Sequence, residues 1–119
     1  MTNEAMNKAV AVALGWVKEG GYILAPYWQD LDGNKHPMLA DWRPSINLQQ
    51  AVDYIVPVLH DMGRDVCFDT SNDDVLCWSD VLRYNRQKNQ ISADGQGHDM
   101  SAKMAWALCE VFLMVKGNK

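Results

Sequence analysis

The chain is poor in cysteine, and the three it has, Cys67, Cys77 and Cys109, are odd in number and far apart over 119 residues. Small secreted domains carry even sets of cysteines that staple loops. A disulfide framework is therefore excluded, and a reducing, cytoplasmic setting is expected, with all three thiols buried and slow to react. Histidine is scarcer in useful patterns still. His36, His60 and His98 stand apart from one another and from the cysteines, with no Cys-x-x-Cys, His-x-x-x-His or His-Glu pair, so no metal site is expected. Glycine-rich phosphate loops and dinucleotide fingerprints are missing, and Ser45 and Ser79 lack the Gly-x-Ser-x-Gly turn of a nucleophile elbow. No cofactor follows, and an enzyme is the less favoured reading. No stretch approaches the roughly 20 apolar residues that span a bilayer, and the polar start (Thr2, Asn3, Glu4, Asn7, Lys8) does not read as a leader. A soluble protein without a membrane partner is expected. Cationic residues are also few: 11 Lys and Arg against 15 Asp and Glu give a net charge of −4, which repels nucleic acid on average. The excess is too small for a DNA mimic.

What is present is the balance of one globular core, with 48% hydrophobic and 22% charged residues and no repeat or linker to divide residues 1–119. Met6, Ala9, Val10, Ala13 and Leu14 mark one face of a helix that Gly15 ends. Tyr22 to Ala25, stopped by Pro26, reads as a short strand, and Tyr27 to Arg43 as a long irregular connection. Asn47 with Gln50 has the form of a capping box. The stripe Ala51, Tyr54, Ile55, Val58, Leu59, Met62 then runs to Gly63, with a kink expected at Pro57. Val66, Phe68 and the segment 75–82 flank the polar cluster Thr70 to Asp74 as an antiparallel hairpin. Residues 90–93 could add an edge strand. A last helix capped by Asp99 or Ser101 turns Met104, Ala105, Leu108, Cys109, Val111, Phe112 and Val115 inward. The expected fold is an α/β sandwich of α+β type, a mainly antiparallel sheet of three or four strands covered by three helices, in the order α-β-α-β-β-β-α.

Asn7-Lys8-Ala9-Val10-Ala11-Val12-Ala13-Leu14-Gly15-Trp16, Pro44-Ser45-Ile46-Asn47 and Ala105-Trp106-Ala107-Leu108-Cys109-Glu110-Val111-Phe112 together resemble the phage ABA-sandwich domain family, small bacteriophage proteins of α/β/α layering. The likeness covers most of the chain in element order and is sharpest at Ala-Leu-Gly-Trp. It implies phage origin and a role in the cytoplasm of the infected host, and it carries over no active site.

Asp69, Ser71, Asp73 and Asp80 fall at ligand places of a calcium loop, but Asp74 stands where the sixth place needs Gly, and the flanks read as strands. A solvated turn is the better reading. Five tryptophans exceed what so small a core needs. Tyr27, Trp28, Trp42 and Arg43 in or beside the long connection therefore form an anchor set for a protein partner, because Trp, Tyr and Arg carry interface energy disproportionately. The alternative is a loop folded down with the two tryptophans as staples. On the partner reading, replacing Trp42 and Arg43 by alanine leaves the fold nearly intact. Arg83, Tyr84, Arg86 and Lys88 make the one stretch of local positive charge without an acid, a candidate anion site or simply a solvated loop. The reading that emerges is a phage-encoded accessory protein acting by binding, to a host factor such as a defence component, with a homodimer through a sheet edge or the loop left open. The competing class is a small-ligand protein that holds or sequesters a nucleotide-like anion, or a modest hydrolase. There Arg83, Arg86 and Lys88 would grip phosphates while Tyr84 or Trp28 stacks on a base.

Overall fold

The computed structural model describes the chain apart from Leu24, Leu31, Asn34, Leu39, Asn72, Asp73, residues 82–90 and residues 118–119, and apart from the side chains of residues 35–38, Asp80 and Val81. Helix α1 (Asn3–Ala13) opens on Thr2, whose hydroxyl accepts the Ala5 amide at 3.1 Å. It closes as the sequence predicts. Gly15 takes φ +85°, its amide donates to the Val12 carbonyl and the Trp16 amide donates to that of Ala11, the double bond of a Schellman motif.

Three short strands follow in place of the single expected one: β1 (Val17–Glu19), β2 (Tyr27–Gln29) and β3 (Lys35–Met38), an antiparallel meander in the order β1-β2-β3. The strand expected at Tyr22–Ala25 is not formed. Gly20 and Gly21, at φ +81° and +101°, turn the chain straight after Glu19, so Tyr22 and Ile23 lie in the connection between β1 and β2. The expected irregular connection from Tyr27 holds two of these strands, with an Asx turn at Asp30, whose carboxylate accepts the Asp32 amide at 2.9 Å.

Helix α2 (Leu48–Asp61) is capped by Asn47, whose side chain accepts the Gln50 amide at 3.1 Å. The Gln50 side chain does not complete the box. Its Oε1 accepts the Arg43 amide and its Nε2 donates to the Asp41 carbonyl, both at 2.7 Å, tying the incoming chain to the helix. Pro57 sits on the exposed side within one continuous helix. The second sheet, β4 (Arg64–Ser71), β5 (Asp74–Val81) and β6 (Ile91–Asp94), is antiparallel in sequence order. Its hairpin is longer and tighter than read from the polar cluster, running in unbroken register from Arg64 opposite Val81 to Ser71 opposite Asp74. Helix α3 (Met100–Gly117) starts at Asp99, whose carboxylate accepts the Ala102 amide at 2.8 Å.

The class is thus the expected α+β one, three helices with small antiparallel sheets. Val75, Cys77, Ser79 and Ala93 are buried on one face of the second sheet, while Leu76, Ser92 and Asp94 on the other are exposed. Helix α3 packs on β5 and β6, α2 on β4, and α1 on α3. The buried face of this sheet is thus the one the helices cover.

Where β6 hands over to α3, only glycine fits. The Gly95 amide continues the ladder to the Val75 carbonyl at 2.8 Å, and a Cβ there would stand 2.5 Å from the Lys103 carbonyl oxygen. Neither backbone can yield without parting sheet from helix. Gly95→Ala is expected to cost about 1–3 kcal/mol in denaturant unfolding, whereas Gly117→Ala, which meets open space, stays within about 0.5 kcal/mol.

Candidate functional site

The residues singled out for partner binding divide sharply. Trp42 is 2% exposed, and its indole N–H donates to the Asn7 carbonyl of α1 at 2.8 Å. Its ring meets Trp16 at 4.8 Å and Tyr54 of α2 at 5.1 Å, and those two meet each other at 5.2 Å, mostly edge to face. Trp28 is buried in the same core. The two tryptophans are staples of the fold and not a contact surface, because the chain before α2 is pulled onto α1: the Ser45 amide also donates to Asn7 Oδ1 at 2.9 Å. Tyr27 is half-buried. Arg43 is exposed, with its Nε donating to the Ala40 carbonyl at 3.0 Å. Arg83, Tyr84, Arg86 and Lys88 lie outside the described residues.

The groups weighed as nucleophiles are enclosed. Ser45 and Ser79 are both fully buried. Cys77 points from β5 towards the helices and Cys109 from α3 into the core. Burial, aided by the charge of Cys67, pushes the Cys77 thiol up to about 12, and burial with the neighbouring Cys77 and Glu110 raises that of Cys109 as well. Cys67 departs from expectation. It pairs with Trp78 on the opposite face of the sheet and is only half-buried. Among the described residues no group of three or more His, Cys, Asp or Glu is placed to hold a metal, and no helix is long and apolar enough to cross a membrane.

Two apolar features remain open. Tyr22 and Ile23 project from the β1–β2 connection at 101% and 98% exposure. They form a finger whose root, β1, is itself exposed along its length. Sequence reasoning placed these two residues in a strand. The signal against that was the Gly20-Gly21 pair immediately before them, two residues free to take the positive φ of a turn. The second feature is a groove of about 670 Å³ between the ends of α1 and α3, lined by Ala9, Val12, Ala13, Met62, Leu113 and Lys116, with Val12 59% and Met62 46% exposed. A smaller recess of about 560 Å³ lies beside Arg43, Ile46 and Ser101.

Two measurements follow. Trp42→Ala should cost about 3–5 kcal/mol by loss of the ring cluster, and Arg43→Ala less than about 0.5 kcal/mol, both read by denaturant unfolding. In the native protein, a thiol reagent at neutral pH should label Cys67 quickly and Cys77 and Cys109 only on unfolding. Because the folded Cys77 thiol titrates near 12 and the unfolded one near 9.0, its contribution to stability is complete below pH 9 and drains away as the pH rises towards 12. The melting temperature should fall over that range.

Compared with protein-family models, curated proteins and solved structures, the chain matches none.

Proposed function

We propose that this protein acts by binding another protein chain, without catalysis, and that the β1–β2 finger is the contact element. The accessory role implied by the phage resemblance, action on a host factor such as a defence component, is one form of this reading. The observation that carries it is the near-complete exposure of Tyr22 and Ile23. A single apolar residue on a surface means little. Here an aromatic and a branched aliphatic side chain stand together at a turn that projects from the body, the composition and placement of an interface anchor. Ser45 and Ser79 are enclosed, and the Cys77 and Cys109 thiols are buried and held protonated, so none of these four groups supports a catalytic reading beside the binding one.

A photo-crosslinking amino acid at position 23, exposed to lysate of the host cell, tests it. A discrete protein adduct is expected, competed away by unlabelled native protein and not by the doubly substituted Tyr22→Ser, Ile23→Ser chain. That variant should melt within about 2 °C of the parent, since neither side chain is packed in the fold. Failure to crosslink to any protein chain overturns the proposal.

A further inference from the structure

We propose that the occupant of the groove between α1 and α3 is the Tyr22–Ile23 finger of a second copy of this chain, each copy's finger seating in the other's groove. This rests on the finger being the contact element and names its partner.

Composition argues first. The finger offers an aromatic and an aliphatic side chain, and the groove is apolar along Ala9, Val12, Ala13, Met62 and Leu113. Contact of that kind is characteristic of homodimers, whose interfaces are more apolar than those of transient complexes. Among the described residues the groove's one charged lining residue is a cation, Lys116, and Glu19, exposed on β1 at the finger's root, supplies the opposite charge. Lys18 precedes Glu19 on the strand, and strand alternation sends the two to opposite faces, so the acid can meet the rim while the lysine faces away.

Area decides the symmetry. An aromatic side chain buries about 200 Å² and an aliphatic one somewhat less, so one seated finger removes on the order of 700 Å² counting both surfaces. That is below what a specific association needs. Two reciprocal contacts remove about 1,400 Å², inside the usual range for a stable dimer. Chain topology permits the reciprocity. The groove takes Val12 and Ala13 from the last turn of α1, and the chain leaves that turn through Gly15 and Trp16 directly into β1. From Ala13 to Tyr22 is nine residues of chain, at most about 30 Å extended. Finger and groove therefore lie no more than about 30 Å apart, and in a symmetric pair one two-fold axis relates both contacts.

Sedimentation or light scattering of the purified chain across the micromolar range should show a dimer. Tyr22→Ser with Ile23→Ser, and separately Met62→Glu in the groove, should each raise the dimer dissociation constant at least about tenfold while leaving the circular dichroism spectrum unchanged. Mixing the two variants should restore a heterodimer, because the finger of one and the groove of the other are intact. A monomer throughout, or a dimer that neither variant weakens, overturns the inference. If the native chain stays monomeric yet crosslinks through position 23 to a different protein, the second-copy assignment fails and the binding reading stands. If position 23 crosslinks to nothing, both fail.

Discussion

Helix α3 has no free side over its middle turn. Ala105 to Cys109 are buried without a break, and Val111, Phe112 and Val115 continue inward on the next turns. A helix apolar all round is stable in water only if other elements enclose it, and every large decision in this fold answers that requirement. The second sheet covers one flank, α2 another and α1 a third. Even the helix's bulkiest ring is reconciled with burial locally, the Trp106 indole donating to Glu110 one turn on at 2.7 Å. Close approach at the β6 junction is part of the same demand. Gly95 lets the sheet edge touch the first turn of α3, and a sheet held further off would leave the flank of the helix that faces it wet.

Covering the third flank creates the next constraint. Helix α1 is short, and three-residue strands lead the chain away from it, so something must bring α1 and α2 together over α3. Trp42 does this. Its indole N–H reaches the carbonyl of Asn7, and its ring sits between Trp16, just past α1, and Tyr54 on α2. Asn7 is used twice, since its side chain also takes the Ser45 amide. A polar residue in the middle of a helix is thereby the fixed point for the segment entering α2. Gln50 holds the same segment from the other end.

These dependencies explain which parts of the chain are legible in its sequence. The helices and the long hairpin announce themselves because their signals are local: Gly15 closing α1, Asn47 capping α2, Asp99 opening α3, and β-favouring residues either side of a polar turn. The first sheet does not. Tyr22 to Ala25 has the composition of a strand, but pairing is settled by which segments meet, and the turn at Gly20-Gly21 places Glu19 opposite Tyr27 instead. Trp42 is ambiguous for a related reason. The same ring serves as a surface anchor or a core staple depending on a carbonyl 35 residues away, and no periodicity in the loop reports that contact. Cys67 was assigned to the core by alternation, yet alternation gives two faces without saying which is covered. Only the burial of Val75, Cys77 and Ser79 on the neighbouring strand settles that Cys67 lies on the other.

The first sheet then poses a problem of its own stability. Strands this short are marginal in water without packing against another element, and β1 is exposed along its length. Among the described side chains of this sheet, Trp28 of β2 is the one sunk in the core. Trp28 fixes β2, and β1 and β3 are carried by their hydrogen bonds to it. Anchorage through Trp28 has a consequence for what lies beyond. The turn at Tyr22 and Ile23 is positioned by the sheet but makes no demand on the core, so its side chains are free to be chosen for something other than folding. Leaving two large apolar groups in water gives the isolated chain nothing, and burying them against a partner is worth about 1.5–3 kcal/mol for each. On the proposed binding reading Trp28 attaches the sheet and Tyr22 with Ile23 use it, a separation of tasks between a strand and the turn before it that an element serving only the core has no reason to maintain.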